Sequence, residues 1–380
     1  MGFRKGRGCT DAIFALRQMC ERTIEYNREL NIVFVDQEKA FDRVNRNKLW
    51  KELENYTVRG QLLDNIRAIY ENSRSAVRTS EGLTEWFEIT SGVRQGCVLS
   101  PLLFIIYMDR ITKEANTEPD ALNELLFADD QSLAHTDEQS LQHHTTRLNE
   151  ECTNYDMKIS IGKTETMKIS RNPGPLRIHI NNNSLRQVQE FKYLGSTFTE
   201  DGRLNREIET RVQKANNVSY QLAPLLKHPN IPMTTKLQMI NTIFIPTLTY
   251  QCQTWTMNKT LEQRITTCKM RCLRRAVNKT RRDKIRNSVI REMVGTTDVM
   301  HHIEHQRIKW FGHLMRLPTQ HPAQRAYIMK FNGNKARGRP RKTWTDGVKE
   351  TLTAHGIPLT QALRLVAERR LFLPATPNRV

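Results

Sequence analysis

The sequence predicts an α/β protein: an antiparallel sheet backed by helices, followed by a helical region of strongly basic character. Three observations lead there. Short apolar runs, such as Ile32-Val33-Phe34-Val35 and Leu122–Phe127, alternate with longer windows whose apolar residues recur at helical spacing. The pair Asp129-Asp130 separates two apolar runs, as a hairpin turn between neighbouring strands would. Residues 1–202 hold 26 Lys/Arg against 30 Asp/Glu, whereas residues 203–380 hold 33 against 10, so the excess behind the net charge of +19 lies wholly in the second part.

The elements follow in order. Thr10–Glu29 reads as a helix, with Ile13, Leu16, Met19 and Cys20 at helical spacing. Asn31–Asp36 is a buried strand, since β-branched and aromatic residues crowd it. Helices follow over Asn45–Glu54 and Gln61–Tyr70, then strands at Ala76–Thr79 and Trp86–Thr90 around a turn at Gly82. Leu99–Ala115 is an apolar helix. Leu122–Phe127 and Gln131–Ala134 are the strands that meet at Asp129-Asp130, and Gln139–Tyr155 is helical. Short strands continue to Phe198. Leu204–Leu226 and Thr234–Tyr250 read as paired helices.

Composition narrows the function classes. A chain of 380 residues, 38% hydrophobic and 26% charged, has enough apolar material for two or three folded domains and is not a disordered polymer. Met1–Thr10 is polar and basic, unlike a secretory leader, and the longest apolar run, Val98–Met108, falls short of the roughly 20 residues a membrane span needs. Seven scattered cysteines then read as free thiols in a reducing compartment, which implies an intracellular protein of the nucleus or cytoplasm. Neither Gly-x-Ser-x-Gly nor Gly-x-Gly-x-x-Gly occurs. The basic second half points to an anionic polymer, most simply nucleic acid, with a solvated helical surface as the alternative.

Chemistry concentrates at Asp36, Asp129 and Asp130. Carboxylates at strand ends are held rigidly, and three brought together repel one another unless cations lie between them. Hard oxygen donors suit Mg²⁺, which also takes substrate phosphates. Taken alone, Phe127-Ala128-Asp129-Asp130 is equally well a simple turn pair.

The surrounding residues decide between these. Val35-Asp36-Gln37-Glu38-Lys39-Ala40-Phe41-Asp42 resembles motif A of LINE-type, non-LTR retrotransposon reverse transcriptases. The segment from Ser91-Gly92-Val93-Arg94-Gln95-Gly96-Cys97 to Ser100-Pro101-Leu102-Leu103-Phe104 resembles their motif B, and Phe127–Asp130 their motif C. Gly162-Lys163-Thr164-Glu165 is similar to motif D, and Phe191-Lys192-Tyr193-Leu194-Gly195 to motif E. Gly2-Phe3-Arg4-Lys5-Gly6-Arg7 with Thr10-Asp11-Ala12-Ile13 resembles the last block of the fingers. The ordered set covers roughly residues 1–255. Group II intron enzymes are more distant, because they carry Gly-Gly where this chain has Gly96-Cys97. Trp310-Phe311-Gly312-His313 and Gly338-Arg339-Pro340 resemble the tail of RTE-like elements.

The resemblance implies a right-hand polymerase palm with partial fingers over 1–202, an α-helical thumb over 203–258 and a basic nucleic-acid-binding region over 259–380. It implies an RNA-directed DNA polymerase using two Mg²⁺ ions, with Mn²⁺ as a substitute, an RNA template, a DNA primer and dNTP. No membrane and no specific protein partner is implied. Asp36, Asp129 and Asp130 would hold the metals. Lys163 would be a general acid or charge stabiliser, with a solvated lysine as the bland alternative. Phe41 would be the steric gate under the sugar, or else an ordinary core aromatic. Gln95 and Gly96 would contact nucleotide and template, the glycine allowing close backbone approach. Arg4 and Lys5 would reach the triphosphate, and Phe191, Tyr193, Leu194 and Gly195 would form the primer grip. An intact relative would be expected to carry an endonuclease upstream, so the chain reads as an N-terminally truncated copy; the basic fingers residues expected ahead of the Gly2–Arg7 block would also be missing, which implies weak nucleotide binding. A nucleic-acid-binding relic without catalysis is the second reading.

In the basic region, residues 264–291 contain eleven Lys/Arg, among them Arg274, Arg275, Arg281 and Arg282, and a single acid, Asp283. That density suits phosphate contacts, and removal of 259–380 is expected to flatten the salt dependence of binding. Arg337-Gly338-Arg339-Pro340-Arg341-Lys342 is similar to an AT-hook core, and equally to a basic linker or import signal. Cys268 and Cys272 fall at i, i+4 ahead of His301, His302 and His305, which is not a zinc-knuckle spacing. They read as core thiols.

Overall fold

The computed structural model describes residues 2–116, 118, 121–331, 335–338, 340–369 and 371. They form two compact units, Met1–Ala12 with Arg28–Gln189, and Ile13–Asn27 with Glu190–Val380. Helix α1 (Cys9–Glu25) begins in the first and continues in the second.

Strand β1 (Leu30–Val35) is the centre of the first unit, and all six of its residues are buried. A run of branched and aromatic side chains suits a strand covered on both faces. The sheet also contains β2 (Glu124–Phe127), β3 (Asp130–His135), β4 (Glu165–Ile169) and β5 (Arg186–Gln187), in the order β5-β4-β1-β3-β2. The pairings are antiparallel except β4 with β5, which run parallel. The expectation of a wholly antiparallel sheet is corrected at that edge: residues 170–185 supply the crossover of roughly a dozen or more residues that parallel pairing requires.

Helices α2 (Ala40–Arg43), α3 (Arg46–Asn55), α4 (Gln61–Tyr70), α5 (Ser100–Ala115) and α6 (Glu138–Asn154) complete the unit. Leu103, Phe104, Tyr107, Met108 and Ile111 of α5 share one core with Val33, Val35 and Leu133 of the sheet and with Leu141 and Leu148 of α6. Spacings of three, four and seven put these residues on single helix faces, and each large apolar side chain so buried contributes about 1.5–3 kcal/mol. The strands expected at 76–79 and 86–90 are reduced to two-residue ladders, Arg78–Thr79 with Gly82–Leu83 and Arg74–Ser75 with Phe87–Glu88. Trp86, Phe87 and Leu83 are exposed there, so no buried face enforces a longer pairing.

The second unit contains, besides its part of α1, the hairpin β6 (Glu190–Tyr193) and β7 (Ser196–Thr199), and is otherwise mostly helical. Its helices include α7 (Asn205–Gln221), α8 (Ala223–Lys227), α9 (Met233–Met239), α10 (Lys259–Ala276), α11 (Asn287–Val294), α12 (Val299–Met315), α13 (Pro322–Ile328), α14 (Trp344–Ala354) and α15 (Leu359–Ala367). Ile208, Phe244, Trp255, Ile265, Cys268, Cys272 and Leu273 are central to its core. In a second cluster Phe14 of α1 meets Trp310 and Trp344 edge-on, at centroid distances of 5.5 and 4.8 Å. The helix expected over 234–250 passes through a π turn at Ile240–Phe244 just before Pro246, whose missing N–H interrupts the regular ladder. Helix α7 ties the hairpin into this unit: Thr197 N donates to buried Glu207 Oε2 at 2.7 Å, and Arg211 donates to the Gly195 carbonyl.

Candidate active site

Asp36 follows directly on β1, half-buried, and its backbone is fixed on both sides. Its N–H donates to Thr164 Oγ1 at 3.2 Å, and its carbonyl accepts from Ser160 N at 2.8 Å. Thr164 is fully buried, so the loop after α6 clamps the strand end. The same loop carries Lys163, whose Nζ lies 3.9 Å from Asp36 Oδ1 while its side chain remains largely exposed.

Across the sheet, β1 pairs with β3 in a register that matches Val35 to Gln131, and one more step sets Asp36 opposite Asp130. Phe127 pairs with Asp130, so β2 and β3 are joined by the two-residue turn Ala128-Asp129. Asp129 therefore occupies the turn and Asp130 the first position of β3, a small correction to placing both in the turn. Ala128 has φ +58°, a left-handed conformation that tight hairpins demand and alanine tolerates poorly. Gly2 backs this turn: a Cβ there would meet Ala128 N at 2.7 Å. Asp130 is exposed at its surface, yet the protein packed around it, and then the charges of Asp129 and Asp36, push its carboxyl above the usual range.

The next segment couples Phe41 to the glycine loop before α5. Val93 N donates to Phe41 O at 2.9 Å, Gly92 N to Val44 O at 2.8 Å, and Ser91 Oγ to Asp42 O at 3.2 Å. Arg46 donates to the carbonyls of Gly92, Tyr70, Ile89 and Ser91. Gly92 makes the close approach: with φ +81°, its Cβ would lie 2.8 Å from Asp42 O. Gly96 also has φ +81°, but a Cβ there would meet nothing within 4 Å, so within the chain its glycine serves the turn and not close packing. Gln95 is exposed and donates to Asp42 Oδ1 at 3.3 Å. Phe41 is partly buried against the core and stacks on Phe104 at 4.4 Å. Arg4 and Lys5 are exposed on the turn closed by Arg7 N to Arg4 O.

Phe191, Tyr193, Leu194 and Gly195 lie in the second unit, on β6 and the turn to β7. Of the basic residues there, Arg281 and Arg282 are exposed, as is Arg337. Arg274 and Arg275 are not free surface charges. Arg274 donates to Ile285 O at 2.8 Å and to Asn287 Oδ1 at 3.1 Å, whereas Arg275 donates to Ser219 Oγ and lies 4.1 Å over the Tyr220 ring. These contacts come from residues distant in sequence, so charge density alone could not assign them. Arg341 is exposed and donates to Asp201 O at 3.3 Å; Arg339 lies outside the described residues. The proposed deletion of 259–380 would also remove α10, whose Leu261, Ile265 and Leu273 are core, so it would measure unfolding. Cys268 and Cys272 are buried free thiols, as expected.

Among the described residues, no three His, Cys, Asp or Glu side chains close into a metal cluster. The carboxylates nonetheless suit hard cations. Asp36 Oδ1 is buried without a hydrogen-bond partner, and Asp130 feels the charge of both its neighbours. No helix of the described residues is long and apolar enough to cross a membrane.

Residues 1–198 match the family described as reverse transcriptase (RNA-dependent DNA polymerase). The chain belongs to the reverse transcriptase family. It is 26% identical over 263 residues to the retrovirus-related Pol polyprotein from the type-2 retrotransposable element R2DM of Drosophila melanogaster, covering 65% of this chain and 24% of that one. It is 24% identical over 268 residues to the probable RNA-directed DNA polymerase from transposon X-element of the same species, covering 67% and 29%. A putative uncharacterized transposon-derived protein of Caenorhabditis elegans is 24% identical over 264 residues, covering 66% and 94%. This reverse transcriptase chain thus spans about a quarter of the two Drosophila relatives and nearly all of the nematode one. A telomerase structure from Candida tropicalis, in complex with a fragment of telomeric RNA, aligns at TM-score 0.41 and 14% identity, over 85% of this chain and 52% of that one. All three of these relatives are named as proteins of transposable elements or transposon-derived proteins.

Sequence reasoning missed Thr164 and Ser160 as clamps on Asp36, Arg46 as the residue collecting four carbonyls, and Gly2 and Gly92 as contact glycines. The glycines and Thr164 had a signal, their place inside recognisable motifs; Ser160 and Arg46 had none.

Proposed function

We propose that this chain is the polymerase core of a non-LTR retrotransposon, extending a DNA primer on an RNA template by moving a nucleotide from dNTP to the primer 3′-OH. One observation carries the reading: Asp36, Asp129 and Asp130 meet at the abutting ends of adjacent strands in a chain of the reverse transcriptase family. In this reading the first unit's sheet and helices are the palm and part of the fingers of a right-hand polymerase. Residues 203–258 are the thumb, and 259–380 add nucleic-acid contacts inside the cell, in nucleus or cytoplasm.

Two Mg²⁺ ions, or Mn²⁺ in their place, would be held by Asp36, Asp129 and Asp130, lowering the pKa of the 3′-OH and balancing the charge of the leaving pyrophosphate. The chain's own groups do the rest. Lys163 reaches past Asp36 into solvent, where its ammonium can give a proton to the pyrophosphate or stabilise its charge. Gln95 and Gly96 border the nucleotide, and exposed Arg4 and Lys5 can pair with its phosphates. The deciding experiment is primer extension on poly(rA)/oligo(dT) with purified protein and Mg²⁺; absence of dTMP incorporation under all conditions that preserve the fold overturns the reading.

Phe41 is proposed as the sugar gate. Its ring is braced by Phe104, which gives it the rigidity a steric filter needs. Phe41→Ala is expected to raise ribonucleotide use relative to deoxynucleotide use by about ten- to a hundredfold. Unchanged discrimination in single-nucleotide kinetics returns the ring to a packing role.

A second reading, nucleic-acid binding without catalysis, draws on the basic second half of the chain. Exposed Arg281 and Arg282 test the binding component common to both. Replacing both with alanine is expected to reduce the slope of log K against log salt by roughly 1.4–1.8, at 0.7–0.9 for each phosphate contact. An unchanged slope in fluorescence-anisotropy titrations marks these charges as merely solvated.

A further inference from the structure

The β6–β7 hairpin ends in Leu194-Gly195, with φ +46° and +81°. Two successive left-handed residues make a tight turn, and a non-glycine residue at the first needs outside support. That support comes from two residues that no family motif contributes. Tyr250 OH donates to the Leu194 carbonyl at 3.0 Å, and the guanidinium of Arg211 donates to the Gly195 carbonyl. Both carbonyls of the turn are therefore held from outside the hairpin.

The two holders are themselves fixed. Arg211 lies on α7, and its Nε donates to Glu207 Oε1 at 2.8 Å in a buried ion pair. Its guanidinium also lies 4.6 Å over the Tyr250 ring. Glu207 uses its other oxygen to accept from Thr197 N at 2.7 Å, so one carboxylate ties the strand after the turn to the arginine that holds the turn. Arg17 of α1 donates to Ser196 Oγ at 2.8 Å. Gly195 completes the fit, because a Cβ there would sit 3.3 Å from the Tyr250 ring and hydroxyl.

We infer that Arg211 and Tyr250 are positioning residues that set the Leu194-Gly195 turn for contact with the primer terminus. The inference rests on the reading of Phe191–Gly195 as the primer grip. A turn that meets a nucleic-acid end must hold its backbone to within about half an ångström to be useful in placing a reacting atom. The hairpin is a two-stranded sheet, which has little stability of its own. The α7 and Tyr250 contacts supply what the strands lack.

Tyr250→Phe isolates this role, since it keeps the ring against Gly195 and Arg211 and removes only the hydroxyl. Loss of one hydrogen bond to a carbonyl predicts a rise of about fivefold in KM for primer–template. KM for dNTP and the melting temperature should stay nearly unchanged. A purely structural hydroxyl would instead lower the melting temperature and leave the two KM values in their original ratio. Leu194→Asp serves as the parallel variant, altering the turn itself. If Leu194→Asp raises primer KM but Tyr250→Phe does not, the bracing inference is wrong. If neither moves primer KM in a folded protein, the primer-grip reading falls first, and the inference with it.

Discussion

Asp129→Asn is expected to lower primer extension by on the order of a thousandfold or more, while duplex binding stays within a factor of about two. If Asp129 helps hold divalent cations as proposed, removing its charge forfeits several kcal/mol of charge stabilisation in the transition state, and each 1.4 kcal/mol or so is tenfold in rate. The fold should be unaffected, because Asp129 lies exposed in a two-residue turn and asparagine is well suited to turns. Single-turnover extension and anisotropy on the same preparation measure both arms. Extension near the original rate removes Asp129 from the mechanism, and lost binding with a lowered melting temperature reassigns it to structure.

The second large effect is expected at Gly92. Gly92→Ala places a methyl group 2.8 Å from the Asp42 carbonyl oxygen and 2.9 Å from its Cα, at a φ of +81° that alanine resists. Neither atom is the free end of a side chain, so the loop or the segment carrying Phe41 and Asp42 must shift. Strain of this kind costs about 1–3 kcal/mol, and a displacement near 1 Å can cost on the order of a hundredfold in rate. Both activity and melting temperature should fall. Gly96→Ala is the control for the fold, because with open space at its Cβ its melting temperature carries the turn strain alone, whereas its activity also reports the proposed nucleotide contact. If the two variants lose melting temperature alike, the Asp42 contact has no special role.

These two glycines show where sequence reading succeeds and stops. Strand β1, the hairpin at 127–130 and helix α4 were legible because their signals are local: β-branched residues, a turn pair between apolar runs, and apolar spacing that predicts Gln61–Tyr70 to the residue. Motif order then placed Asp36 and Asp130 together, as the strand register does. What remained hidden depends on residues far apart in the chain. That Gly92 rather than Gly96 touches Asp42 is a fact of tertiary packing. So is the engagement of Arg274 and Arg275 with Ile285, Asn287, Ser219 and Tyr220, which leaves Arg281 and Arg282 as the exposed pair. Charge density cannot separate an arginine facing solvent from one bonded to its own protein.

The left-handed alanine at 128 has a consequence for anyone who would improve this protein by selection. An L-residue in that conformation costs roughly 1–2 kcal/mol, and the strain sits one residue before Asp129, against Gly2. A library screened for heat resistance would favour relief of this strain, most cheaply through glycine, whose gain is partly offset by its freer unfolded chain. If Asp129 and Asp130 act as proposed, a library screened for turnover would keep alanine, because glycine would leave the turn and its carboxylates freer to move. Position 128 should therefore diverge between the two selections, and thermostable descendants should carry a slower chemical step.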